Sequence, residues 1–258
     1  MNLIAMNKGR LVLGIGLIAL AAAVFVISSS ANLNFLGMDA SGDAENQLTT
    51  IDNVRGIHSI KADGVVDVHI SMSDTERVRY VFNGKRFNNT STFNDGVLRI
   101  SFPTKQKGFK LFDYSSGGVD VYVSVKTLQH IQMNGVGAIN TKGMLQTDEI
   151  KVVNEGTGSM DLELDATKIK GKNSGVGSLD ISGTADTATL ANQGVGSVNA
   201  QRLITQVMDA RNDGVGSMEV YAEKEIKLRN SGVGSIRYSG DAAVTSKRSE
   251  GIGSISKR

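Results

Sequence analysis

Gly175-Val176-Gly177-Ser178-Leu179-Asp180-Ile181 is one copy of a phrase that recurs seven times between Met133 and Ser256. The other copies begin at Gly135, Gly156, Gly194, Gly214, Gly232 and Gly251, so successive first glycines are separated by 21, 19, 19, 20, 18 and 19 residues. A fixed period near twenty residues is the mark of a stacked repeat. The residue four after the first glycine is apolar in every copy: Ile139, Met160, Leu179, Val198, Met218, Ile236, Ile255. Its successor is polar, and the next residue is again apolar in most copies, which is the period-two alternation of a strand with one buried face.

A second short apolar patch precedes each phrase, as at Ile150 and Val152, Ile169, Leu190, Met208, and Ile226 and Leu228. Asn stands two places before the first glycine in five copies, at positions 154, 173, 192, 212 and 230. Each period therefore reads as strand, polar bend, strand, glycine bend. Strands this short cannot close a core alone, but they do so when stacked on identical units. The reading is an all-β parallel β-helix, or solenoid, with coils of about 19 residues. Residues one period apart become vertical neighbours about 4.8 Å apart, with the glycines at tight bends. Stacked Asn amides can then donate to and accept from the coils on either side.

Competing glycine motifs do not fit. A calcium-binding repeat needs an Asp-bearing GGxGxD pattern, and a phosphate loop needs Gly-Lys-Ser or Gly-Lys-Thr. Neither occurs among the seven phrases.

The amino terminus carries Lys8 and Arg10 and then runs without charge from Leu11 to Met38. Its apolar part, residues 11 to 27, reads as an export signal or a short membrane anchor spanning 1–31. The positive end stays inside, which places the rest of the chain beyond the cytoplasmic membrane, in the periplasm or at the cell surface. Residues 32–47 are small and polar and read as a tether. Residues 48–130 read as irregular amino-terminal β coils with a loop at 103–117, and residues 131–258 as the regular β-helix. Within 48–130, Asp63-Gly64, Asn83-Gly84 and Asp95-Gly96 are turn signals between alternating strands. These strands are expected to form the first three or four coils.

Lys plus Arg total 28 and Asp plus Glu 26. Removing residues 1–31 takes away Lys8 and Arg10 and no acid, so the exported part is balanced, with no electrostatic reason to bind nucleic acid. There is no cysteine, and hence neither a disulfide nor a lipid-modified thiol.

Gly56-Ile57-His58-Ser59-Ile60, the valine-rich Val65-Val66-Asp67-Val68, Leu98-Arg99-Ile100 and Val119 to Val125, followed by the Gly-x-Gly phrases, resemble in their order the auto-transporter adhesin, head GIN domain family. The resemblance covers about residues 48 to 256. It implies a right-handed parallel β-helix in the bacterial envelope and supplies no catalytic residues. The few residues beyond the last phrase could not provide a membrane barrel of the auto-transporter kind.

No catalytic, cofactor-binding or metal site is assigned. Asp161 and Asp180 occupy equivalent places in adjacent coils, where two carboxylates could invite a cation or an acid–base role; their column also holds Asn140, Asn199, Glu219 and Arg237, a solvated polar face. His58, His69 and His130 lack the spacing of a helical zinc site. The serine column, Ser159 to Ser254, lacks a histidine base anywhere in the repeats. Phe102 to Tyr114 interleaves aromatic residues with Lys105, Lys107 and Lys110, which suits either recognition of an anionic or saccharide surface or a small satellite core. The expected role is non-enzymatic: an adhesive, spacer or scaffold module whose partners are envelope glycans or proteins, with weak self-association through the last coil. The alternatives are an enzyme acting on polysaccharide and a self-associating structural protein.

Overall fold

The structure, a computed structural model, describes residues 33–34, 47–52, 54–82, 89–102 and 118–258. The expected leader at 1–31, most of the tether and the loop at 103–117 lie outside the described residues. Among those described, no helix is long and apolar enough to cross a membrane.

The less regular part supplies β1 (Leu33–Asn34), β2 (Gln47–Asp52), β3 (Ser59–Gly64), β4 (Asp67–Met72), β5 (Arg77–Phe82), β6 (Thr92–Asn94), β7 (Val97–Phe102) and β8 (Val119–Val125). The repeats begin with β9 (His130–Met133), β10 (Val136–Thr141), β11 (Leu145–Asn154), β12 (Thr157–Asn173), β13 (Val176–Asn192) and β14 (Val195–Ala200). They end with β15 (Leu203–Asn212), β16 (Met218–Tyr221), β17 (Glu225–Asn230), β18 (Ile236–Ser239), β19 (Ala243–Ser249) and β20 (Ile255–Lys257).

Among β9 to β20 every pairing of one strand with another is parallel and joins residues one period apart. Leu179 lies between Met160 and Val198, and Ile169 between Ile150 and Ala188. This is the parallel β-helix that the phrase spacing predicts. The strand after each glycine phrase forms one face, which we call the phrase face; the strand ending at the Asn position forms another, the Asn face.

The interior is the alternate set of side chains. Met160, Leu162, Leu164 and Ile169 in one coil are all fully buried, each worth about 1.5–3 kcal/mol relative to an exposed position. At the Asn position the interior column becomes polar. Asn154, Asn173, Asn192, Asn212 and Asn230 are completely buried and linked amide to amide, Nδ2 to Oδ1, at 3.1, 3.1, 2.9 and 2.9 Å. Burial without partners would be costly for each amide; here the coil above supplies the missing group. The second proton of Asn192 goes to the Gly196 carbonyl at 3.2 Å, fixing the bend that follows.

The two glycines of the phrase are required for different reasons, as one copy shows. A Cβ at Gly194 would stand 2.0 Å from the Gly175 carbonyl oxygen, so the excluded space is set by the coil below. At Gly196 the same contact would be 1.8 Å and the backbone adds a φ of +143°, where side chains are strained.

Residues 59–125 depart from the expected run of successive coils. Among the described residues, two pairs of these strands join the parallel stack, β3 with β4 and β7 with β8, and their order is reversed. β3 lies between β7 and β9, and β4 between β8 and β10, so the later strands, β7 and β8, are outermost in the parallel stack. The remaining strands are antiparallel: β5 pairs with β8 and β2, and β6 with β7 and β1. For β6 and β7 the reason is local, at Asp95-Gly96, where both residues have positive φ, 47° and 73°. That is the geometry of a two-residue hairpin turn, which reverses the chain, whereas the Gly-x-Gly bends carry it round in one direction.

Candidate functional site

The residue between the two glycines of each phrase has period-two parity with the outer serines, and the structure places it outside. Val176 is 53% exposed, Val195 53%, Val215 49% and Val233 46%, with Val136 and Ile252 in the same column. Backbone bridges hold Val195, Val215, Val233 and Ile252 in line from coil to coil. One wall of an open groove of about 840 Å³ is this column; the floor is the line of first glycines, and the other wall is Glu155, Ser174, Gln193, Asp213 and Ser231.

The floor has little hydrogen-bonding capacity left. The amides of Val176, Val195, Val215, Val233 and Ile252 each donate to the glycine carbonyl one coil away at 2.9–3.0 Å. A ligand there meets methyl groups, with carboxylates and neutral polar side chains only along one edge. Contiguous exposed apolar surface of this kind marks contact sites. Thr157 occupies the same column in register with Val136 and Val176, so the fold accepts a hydroxyl there.

On the phrase face, Asp161 and Asp180 are register partners, as the spacing requires. Further along their column, Glu219 is paired with Arg237 at 3.1 Å and with Arg258 at 3.7 Å. No group of three or more metal-ligating side chains is present among the described residues. Ser235 and Ser254 face each other at 3.4 Å, in register along the serine column.

The histidines lie apart from the groove. His69 stacks on Tyr122 with ring centroids 4.7 Å apart, the Arg79 guanidinium lies over the Tyr122 ring at 4.4 Å, and Asp120 Oδ1 is 3.2 Å from His69 Nε2. His58 Nε2 contacts the Asp95 carbonyl at 3.0 Å, beside the hairpin turn. His130 sits on the Asn face, where Ser59 Oγ is 3.2 Å from Nδ1. Its pKa is lowered by burial first, and then by the positive charges of Lys151 and Lys61. Phe102 is buried against Tyr80 and Phe82, with centroids 6.0 Å apart in each pair, as part of the main core.

The family model described as "Putative auto-transporter adhesin, head GIN domain" matches residues 57–242. The chain belongs to this family. A solved "putative adhesin" from Bacteroides fragilis is similar to this head GIN domain at 25% identity and a TM-score of 0.71, over 82% of this chain and 97% of that one. A "putative adhesin" from Parabacteroides merdae shares the fold at 21% identity and a TM-score of 0.61, over 84% of this chain and 98% of that one. A structure from Parabacteroides distasonis described as a "putative lipid binding protein" shares it at 17% identity and a TM-score of 0.60, over 84% and 98%. No protein of curated function matches the sequence.

Two features escaped the sequence reading. The groove was hidden because valine ordinarily belongs inside, although Thr157 and the parity with the outer serines were visible signals. Charge balance over the whole chain also concealed how unevenly the faces share it.

Proposed function

We propose that this head GIN domain is a non-enzymatic adhesive module of the bacterial envelope, exported across the cytoplasmic membrane, whose contact surface is the valine-walled groove. The single observation that carries the reading is the column of half-exposed valines, Val176 to Val233, beside a glycine floor. Stability does not call for them, since Thr157 fills the same place on the same backbone. The occupant that suits the groove is an extended aliphatic chain, as on an acyl-bearing surface. A peptide strand would bring its own amides to a floor whose donors are already engaged.

The test is adhesion of cells displaying the full chain. Cells carrying the native chain are expected to be retained on octyl-coated glass over hydroxylated glass. Cells carrying Val176→Thr, Val195→Thr, Val215→Thr and Val233→Thr together, matched for surface amount, are expected to lose that preference. Undiminished retention of the fourfold variant would exclude the groove as the adhesive surface.

A further inference from the structure

The outer positions of the Asn face are strongly basic. Arg211, Arg229 and Arg248 stand one above another, as do Lys151 and Lys170, and Lys61 lies beside Arg99. Asp148, Asp165 and Asp186 lie on β11, β12 and β13 away from the Asn end, and Glu250 follows β19 and pairs with Arg229. Beside these, the acids at outer positions of the segments ending at the Asn column are Asp63, Glu149, Asp209 and Glu225. Three of these are engaged locally: Asp63 with Arg99, Glu149 with Lys168 and Lys170, and Asp209 with Arg211. Among the described residues, Lys61, Lys151, Lys172, Lys227 and Arg248 have no acid within ion-pairing distance. The phrase face is opposite in character, with Asp67, Asp120, Asp161, Glu163, Asp180 and Glu219 at its outer positions.

Stacking like charges on neighbouring strands is destabilising, and the fold does not require it. In the coil ending at Asn192 the same columns hold Thr187, Thr189 and Ala191. The positive field is also felt by a neighbour, since Lys151 and Lys61 help depress the pKa of His130.

We propose that this face binds a linear anionic polysaccharide lying parallel to the stacking direction. Nine strands, from β7 to β19, present the face, spanning roughly 38 Å at the usual interstrand spacing. It is only one strand segment wide, about 14 Å across three alternate outer positions, which suits a single flexible chain. Its cations are interrupted by neutral hydrogen-bonding groups, Gln132 on one rung and Thr187 and Thr189 on another. A polysaccharide offers the matching mixture of anionic groups and hydroxyls, whereas a nucleic acid presents uninterrupted phosphate. The proposal uses a different face from the valine groove and stands independently of it.

The experiment measures binding of the full chain, in neutral detergent, to heparin and to polygalacturonate over a range of salt. Both are expected to bind and uncharged dextran is not. The triple variant Lys151→Gln, Lys172→Gln, Lys227→Gln should bind at least about tenfold more weakly at low salt, with a log–log salt slope flatter by about two. A control with the same change in net charge, Arg202→Gln, Lys224→Gln, Arg237→Gln, should bind as the native chain does. Equal loss in both triples, or no loss in the first, overturns the assignment. Displacement of bound heparin more effectively by duplex DNA or phosphatidylglycerol-doped micelles than by polygalacturonate, at equal charge, overturns it in favour of nucleic acid or membrane.

Discussion

Replacing Asn192 by Ala tests the amide ladder at its centre. The native side chain accepts from Asn173 Nδ2 at 3.1 Å and donates to Asn212 Oδ1 at 2.9 Å and to the Gly196 carbonyl at 3.2 Å. The substitution removes three hydrogen bonds of about 1 kcal/mol each and strands the Asn212 oxygen and one Asn173 proton in a dry interior. The expected cost is about 3–5 kcal/mol, a large part of the stability of an ordinary domain. Asn230, at the ladder's end, donates to the Gly234 carbonyl and accepts from Asn212, so Asn230→Ala should cost about 2–3 kcal/mol. Asn192→Asp keeps the shape but replaces the donating amide with a carboxylate oxygen that faces two acceptors, and should be worse than Ala at neutral pH. Because that carboxyl titrates later in the folded state than in the unfolded one, its penalty should relax on acidification. Urea unfolding of the full chain by far-ultraviolet circular dichroism measures the series. The m-values must be compared as well, since a stacked repeat can unfold in parts. A cost for Asn192→Ala below about 1 kcal/mol, or no greater than that of the outer-face Asn199→Ala, refutes the ladder as a stabilising element.

Gly196→Ala should abolish folding, because its Cβ would lie 1.8 Å from a carbonyl held by the coil below, whereas Gly143→Ala, at φ +85° with no atom within 4 Å, should cost only about 1 kcal/mol; soluble yield and melting temperature distinguish them. Burial pushes the Tyr80 hydroxyl up to about 12, partly opposed by Ser91. The unfolded chain therefore loses this proton first, and stability should fall by about 3 kcal/mol between pH 10 and 12; Tyr80→Phe should remove that component from alkaline melts. His130 is held below its ordinary pKa, so the unfolded chain takes up the proton first and stability from this group should decline as pH drops below 6.5. Lys151→Gln should move the His130 titration upward by nuclear magnetic resonance, and an unchanged midpoint would show that Lys151 contributes no field there.

The coil register was legible because one phrase marks every turn: once Leu179 and Val198 are aligned on their glycines, each of their neighbours is aligned too. The Asn ladder followed from the same alignment. Residues 59–125 carry no such marker. Ile60 pairs with Leu98 and Ile131, 38 and 71 residues away, neither of them a single period, so nothing in the chain announces that β7 and β8 pack outside β3 and β4. Asp95-Gly96 did carry the right signal, but a hairpin turn and a coil bend are both glycine-containing interruptions between strands. They differ in φ at the residue before the glycine, a property that composition leaves open.

A solenoid provides an internal comparison that an irregular fold lacks. Every outer column samples several residues on nearly the same backbone, so the difference between what the fold requires and what the chain carries can be read within one molecule. Thr157 beside Val176 shows that exposed valine is dispensable for the coil, and Thr189 beside Lys170 and Asp209 shows the same for charge. The buried Met160, Leu179 and Val198 column varies only among apolar residues, as close packing demands. Outer columns that favour methyl groups or stacked cations, where threonine would serve the fold, are therefore the places to look for ligand contact. On this ground the valine groove and the basic face are separable surfaces. Threonine substitution in the groove should leave polysaccharide binding intact, and Lys151→Gln, Lys172→Gln, Lys227→Gln should leave octyl-surface adhesion intact. Loss of both activities in either variant would mean that a single surface, or a change in the fold, accounts for both.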